Sequence, residues 1–307
     1  MKKFKYVIAA AMSALLLCGC QSETDGEPVV ASLEDSSAEA TADESSQAVK
    51  TSAAGDQLEV HYIDVGQGDA SLIMLGDYAM LIDGGNNDKG ELVRDYLLSQ
   101  GVESLDYIVA THPDADHIGG FNRVLKDIPA GEFLLGFPED HDSGDEVRFQ
   151  VYEDLHAQGI PFRRVHHGDT IDFGDVKITV YQRTDDHLPR VNNKSVMLMI
   201  QYGERRIFFT GDVQAAAQEL IGANSEGLDL DCDILKFPHH GYDRMQKEFL
   251  DLTAPELVIC TCGDSKTEGI KQLKERKIPY QMTANQTLLL KTDCKVWTME
   301  RIPMKIK

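Results

Sequence analysis

Within six residues the chain carries four side chains of the kind that bind metal ions: His112, Asp114, Asp116 and His117, in the run His-Pro-Asp-Ala-Asp-His. They follow a short apolar stretch, Leu105 to Ala110, that reads as a strand. A loop at the end of a strand can turn all four toward one point. Imidazole and carboxylate together suit zinc, manganese or iron rather than calcium. The bland alternative is a polar loop whose aspartates cap the next helix, but it does not explain two histidines packed among them. Asp212 follows Phe208-Phe209-Thr210-Gly211 and so emerges at the end of a second apolar strand, where a carboxylate can bridge two ions. Taken alone it would read as a helix cap before Val213. His239-His240-Gly241 follows a third apolar run, Ile234 to Phe237. Adjacent histidines do not easily serve one ion together, so one is expected to bind and the other to donate a proton; the alternative is two polar loop histidines. Three strand ends thus deliver donors, the usual arrangement of sites in α/β layers.

The elements that position these groups are legible as alternations and apolar runs. Leu58 to Val65, Ser71 to Leu75 and Tyr78 to Ile82 read as strands, the last two joined at Gly76-Asp77. Lys89 to Gln100 has helical spacing with Gly101 as its stop, and another helix is expected to begin near Ile118. Phe133 to Phe137 reads as a strand and Glu146 to Gln158 as a helix. Strands are predicted at Val176 to Tyr181, Val196 to Tyr202, Arg206 to Thr210 and Asp233 to Phe237, with a helix from Val213 to Ile221. Alternating helix and strand follow: the Glu248 region, Leu257 to Thr261, Thr267 to Arg276, Thr287 to Lys291 and Val296 to Arg301. Strand-rich stretches open both halves and helices follow each, which predicts an α/β fold of two sheets packed face to face with helices outside.

The bulk properties frame where such a site works. The chain has 307 residues and a net charge of −21. That balance argues against a protein that coats nucleic acid with a basic face. It leaves a nuclease open, because bound cations bring positive charge to a site. Lys2, Lys3 and Lys5 precede an apolar run from Val7 to Leu17, which has the length of a signal-peptide core rather than a membrane span. Leu17-Cys18-Gly19-Cys20 resembles a bacterial lipobox, which implies cleavage before Cys20, lipidation of its thiol and anchoring at the extracellular face of the membrane. Residues 1–19 are therefore expected to be a lipoprotein signal peptide. Residues 20–57, rich in Ser, Ala, Glu, Asp and Thr, are expected to form a disordered acidic tether spanning on the order of 35 Å. Residues 58–307 make the folded domain. Of its cysteines, Cys260 and Cys262 sit on one strand about 6–7 Å apart, a poor spacing for a disulfide between them. With Cys232 and Cys294 they are expected to be buried and unpaired.

At this point the ordered motifs resemble the metallo-β-lactamase superfamily, and more narrowly the extracellular metallo-β-lactamase-like domain of ComEC-type DNA-uptake proteins. The similar stretches are Ile63-Asp64-Val65-Gly66-Gln67-Gly68-Asp69-Ala70, Leu81-Ile82-Asp83-Gly84-Gly85, and Thr111 to Gly120. They continue with Asn192-Asn193-Lys194-Ser195, Thr210-Gly211-Asp212 and Lys236-Phe237-Pro238-His239-His240-Gly241. The resemblance implies an αββα four-layer sandwich with two divalent metal ions, Zn or Mn, at one sheet edge. It implies His112 and Asp114 on one ion, Asp116, His117 and His239 on the other, Asp212 as bridge, and Asp83 supporting a ligand histidine. Asp114 stands where many members have His. The further histidine that many members place before the bridging Asp has no clear match here; His187 and Asn193 are the candidates. Tyr242 stands where the ComEC pattern has Ser, and Cys262-Gly263-Asp264-Ser265 replaces a Tyr-Gly-His-Pro-like segment. The resemblance implies hydrolysis of a phosphodiester, DNA first, by metal-activated hydroxide. Asp116 is expected to orient the water and His240 to protonate the leaving group. A cell-wall phosphodiester, a lactone or a β-lactam is the alternative substrate, and a non-catalytic metal-binding surface lipoprotein the alternative class.

Overall fold

The computed structural model describes Lys50 and residues 55–137, 146–183 and 188–303. Along the chain run β1 (Leu58–Tyr62), β2 (Ala70–Leu75), β3 (Tyr78–Gly84), α1 (Gly90–Ser99), β4 (Leu105–Ala110), α2 (Ala115–Ile118), α3 (Phe121–Asp127), β5 (Ala130–Leu135), α4 (Glu146–Gln158) and β6 (Phe162–Arg164). After these come β7 (Thr170–Phe173), β8 (Val176–Tyr181), β9 (Met197–Tyr202), β10 (Arg205–Phe209), α5 (Ala215–Ala223), β11 (Ile234–Lys236), α6 (Lys247–Thr253), β12 (Leu257–Cys260), α7 (Glu268–Arg276), β13 (Tyr280–Met282), β14 (Gln286–Thr292) and β15 (Trp297–Pro303).

Side-chain alternation sets the layers. In β1, Leu58, Val60 and Tyr62 face the opposite sheet, while His61 turns outward to Tyr96 of α1. The same rule sends Ile234 of β11 into the core between the sheets and Leu235 into the outer core. One sheet has eight strands in the order β15-β14-β1-β2-β3-β4-β5-β6, the other seven in the order β13-β12-β11-β10-β9-β8-β7. Val60, Ile73, Val109, Leu198, Ile207 and Ile259 belong to the core they share. A second core joins the first sheet to α1, α3 and α4 through residues such as Leu97, Phe121 and Leu155. A third joins the other sheet to α5, α6 and α7 through Ala217, Phe249 and Leu273. This is the expected α/β sandwich of helix, sheet, sheet and helix.

Two parallel runs carry the site. β3, β4 and β5 are parallel in one sheet; β10, β11 and β12 are parallel in the other. Each run presents the loops after its strands at one edge. The helix expected near Ile118 is split into α2 and α3 at Gly119-Gly120. There the backbone passes so close that a Cβ on Gly120 would sit 2.0 Å from the Gly84 carbonyl oxygen, an approach only glycine allows. β6, β7 and β13, of three or four residues, were not expected: Phe162-Arg163-Arg164 lies at a sheet edge and shows no alternation to read.

Ahead of β1, Lys50 pairs with Asp106 at 2.6 Å, and the Asp56 carbonyl accepts a hydrogen bond from Tyr202 Oη at 2.9 Å. The leader, Cys20 and nearly all of the tether lie outside the described residues. No described helix is long and apolar enough to cross a membrane. Cys232, Cys260, Cys262 and Cys294 are free thiols, the first three buried.

Candidate metal centre

The loop after β4 and the short α2 bring His112, Asp114, Asp116 and His117 to the edge shared by the two sheets. Asp114 precedes α2 but makes no capping bond with its side chain. Asp212 likewise caps nothing: the first turn of α5 is held by Asn193, whose Oδ1 accepts from Gln214 N at 3.1 Å and Ala217 N at 3.2 Å. Both aspartates are therefore left for other work. Asp212 Oδ2 is the centre of the group. It lies 3.2 Å from His117 Nε2, 3.2 Å from His240 Nε2 and 3.9 Å from His112 Nε2. Asp114 Oδ2 is 3.5 Å from His112 Nε2, and Asp116 Oδ2 is 3.5 Å from His240 Nε2.

Each ring is fixed from behind. His117 Nδ1 meets Asp83 Oδ2 at 2.8 Å, and Asp83 is itself held by Thr111 N at 2.9 Å and Thr111 Oγ1 at 2.8 Å. His240 Nδ1 lies 3.2 Å from Asp69 Oδ1 and 3.1 Å from Thr261 Oγ1. His112 Nδ1 lies 3.1 Å from Thr111 Oγ1. With the Nδ1 atoms so engaged, the Nε2 atoms of His112, His117 and His240 all point to the centre. All three are buried and make no aligned hydrogen bond. Buried polar atoms without partners are costly, and here three converge on one carboxylate oxygen. The donor set fits divalent metal ions. One atom each from Asp69, His117, Asp212 and His240 falls within 4.8 Å of the others.

The adjacent histidines take the opposite places from those expected. His240 enters the cluster, and His239 does not. Both residues have positive φ, 50° and 56°. The tight turn leaves His239 on the rim, with Nδ1 2.9 Å from Asp243 Oδ2 and 3.2 Å from Gln214 Nε2. His240 uses both ring nitrogens inside the cluster, so it is badly placed to hand a proton to a leaving group. Asn193 is occupied as the cap of α5 and does not reach the centre; His187 lies outside the described residues. Two residues in the cluster were not expected as part of it. Asp69, just after Gly68, supports His240. Lys236, at the end of β11, is 1 % exposed, and its ammonium pairs with Asp69. A lysine inside the apolar run Ile234-Leu235-Lys236-Phe237 was the signal for it.

The charges in the site tune one another. Burial alone would lower the His117 imidazole, but Asp212 and Asp83 reverse that and push it up to about 10. Burial opposes protonation of His240 too, and Asp212 and Asp69 hold it well above its usual value. Burial would raise the carboxyls of Asp212 and Asp69, yet their cationic neighbours hold both below the usual range, His117 first for Asp212 and Lys236 first for Asp69.

A sequence profile of the metallo-beta-lactamase superfamily matches residues 63–260. The chain belongs to the metallo-beta-lactamase superfamily. Its fold implies divalent metal ions, and the His–Asp cluster is the candidate place for them. Among curated relatives, "Competence protein ComA" of Neisseria gonorrhoeae is 28% identical over 203 residues, covering 65% of this chain and 26% of that protein. "ComE operon protein 3" of Bacillus subtilis is 26% identical over 224 residues, covering 67% of this chain and 28% of that protein. The chain thus spans about a quarter of the length of the curated relatives it matches. Among solved structures, the metallo-beta-lactamase fold protein YhfI of Bacillus subtilis matches with a TM-score of 0.52 at 13% identity, covering 77% of this chain and all (100%) of that one. That likeness concerns the fold.

Proposed function

We propose that this superfamily member is a lipid-anchored, metal-dependent phosphodiesterase that cleaves DNA outside the cell. The observation that carries the hydrolase reading is the convergence of three buried Nε2 atoms, none in an aligned hydrogen bond, on Asp212 Oδ2. Its likeness to competence proteins, matched through the metallo-β-lactamase-like stretch, makes DNA the first substrate to test.

His112 and Asp114 are proposed to hold one ion, Asp116, His117 and His240 the other, with Asp212 shared. Three carboxylates and three imidazoles suit manganese or zinc. When bound, such ions supply Lewis acidity and a nucleophile at neutral pH. Asp116, partly exposed like Asp114, orients the attacking water. His240 is committed to the cluster, so the proton for the leaving group falls to His239 on the rim, held through Nδ1 by Asp243. Asp83 and Asp69 fix the rings of His117 and His240 and hold them at one angle. The proposed location on the extracellular face is supported by the leader and lipobox pattern of Lys2 to Cys20.

The test uses purified protein stripped of metal and then given Mn²⁺ or Zn²⁺, with single- and double-stranded DNA as substrates and Asp212→Ala as control. Cleavage restored by metal and lost in Asp212→Ala is expected. No cleavage of DNA, with a simple phosphodiester, lactone or β-lactam still turned over, would reject DNA and keep the hydrolase. One observation favours a second reading, a non-catalytic metal-binding surface lipoprotein: among the described residues no further imidazole joins His112 and Asp114. Metal uptake without turnover of any ester would select it.

A further inference from the structure

Lys236 is a charge buried inside the fold. It ends β11 on the face that Ile234 turns into the core between the sheets, and it is 1 % exposed. Its ammonium has three donor hydrogens and three acceptors around it: an Asp69 carboxylate oxygen, Asp212 Oδ1 at 3.3 Å and the Gly211 carbonyl at 3.0 Å. With all three donors engaged, Lys236 has no lone pair to offer an ion and cannot be a ligand itself.

The partners divide the carboxylates. Asp212 gives Oδ1 to Lys236 and turns Oδ2 to the three imidazoles. Asp69 gives Oδ1 to His240 Nδ1, and its other oxygen meets Lys236. Both Asp69 oxygens are thereby used. Its nearness to the cluster reflects support of His240 and Lys236 rather than a free ligand atom.

We propose that Lys236 is a positioning residue that commits Asp212 to the metal ions through Oδ2 alone, with Asp69 holding both Lys236 and His240 in register. The proposal rests on the reading that the cluster binds divalent ions. Without the ammonium, Oδ1 is released, and Asp212 can rotate away from the shared position between His112 and the pair His117 and His240.

The test compares the wild-type chain with Lys236→Met and with the double variant Asp69→Asn/Lys236→Met, which removes both members of the buried Lys236–Asp69 pair. Mn²⁺ binding is followed by equilibrium dialysis, the environment of the bound ion by electron paramagnetic resonance, and metal-free stability by urea denaturation. Lys236→Met is expected to bind Mn²⁺ at least tenfold more weakly and to change the line shape of the bound ion. Should that variant not fold, the double variant carries the same expectation. Wild-type affinity and line shape in a folded variant, with only metal-free stability reduced, would overturn the proposal and leave Lys236 a structural counter-charge. A wild-type chain that takes up no Mn²⁺ or Zn²⁺ would instead overturn the metal reading, and this inference with it.

Discussion

An imidazole can ligate an ion only through a nitrogen that has given up its proton, and His117 is held protonated up to about 10 by Asp212 and Asp83. Metal must therefore displace protons from this site. As pH rises toward 10, the proton competes less well and metal affinity is expected to climb. Titration calorimetry in two buffers of different ionisation enthalpy, at pH 7, should show net proton release on Mn²⁺ or Zn²⁺ binding. Binding heats that do not depend on the buffer would contradict the protonated site. Asp83 makes a second residue-scale prediction. Its φ of 56° is one that Asn tolerates, so Asp83→Asn should fold while weakening its hold on His117. Loss of such a support costs metal affinity roughly 10–100-fold; an unchanged affinity by dialysis would remove Asp83 from the site's machinery. Much of the cluster was readable in advance because His112 to His117 supplies four donors within one loop. The order of His239 and His240 was not, since two successive positive-φ residues reverse which ring faces in, and no spacing rule encodes that. Asp69 was passed over because it sits far from the other donors in sequence, and long-range contacts such as the hydrogen bond from its N to the Asp116 carbonyl at 3.2 Å bring it alongside.

At the scale of elements, alternation forces choices that titrate. The strand rhythm that puts Val60 and Tyr62 between the sheets also puts His61 under α1, fully buried, with Nδ1 2.8 Å from Tyr96 Oη. Burial, only partly offset by Glu59, lowers the His61 imidazole to about 4. Between that value and 6.5 the unfolded chain takes up a proton that the folded chain refuses. The contribution of His61 to stability is thus complete above pH 6.5 and is lost as pH falls toward 4, a difference on the order of 3 kcal/mol. Urea denaturation at pH 4.5 and 7.5 should show a smaller pH dependence for His61→Gln than for the wild type; equal dependence would mean the imidazole titrates normally. Gly211 tests another local demand. Its φ is 50°, and a Cβ there would approach Ser195 Cβ to 2.8 Å, while Ser195 Oγ accepts from Asp212 N. Gly211→Ala is expected to cost about 1–3 kcal/mol and to weaken metal binding as well, because the strain falls on the loop that carries Asp212. Regular strands such as β4 and β8 were legible from their apolar pattern. The edge strands β6 and β13 were not, because hydrogen bonding to a neighbour, rather than a buried face of their own, makes them strands; β7 does bury Ile171 and Phe173, but four residues are too short a run to read.

At the scale of the whole molecule, charge decides how the proposed enzyme meets its substrate. A net charge of −21 repels a polyanion. Attraction must then come from the bound ions and from local basic side chains. A protein that neutralises Z phosphates shows a salt slope of about −0.9Z on duplex DNA. Engagement confined to the site predicts a shallow slope, with a magnitude below about 3 between 50 and 200 mM salt. It also predicts that affinity collapses when metal is withdrawn, since the repulsion is then unopposed. Fluorescence anisotropy of a labelled duplex with a cleavage-resistant phosphorothioate backbone would measure both, on the wild-type protein with and without Mn²⁺. A steep slope that persists without metal would place DNA on an extended basic surface, and the acidic balance of the chain would then not confine binding to the site even if cleavage were observed.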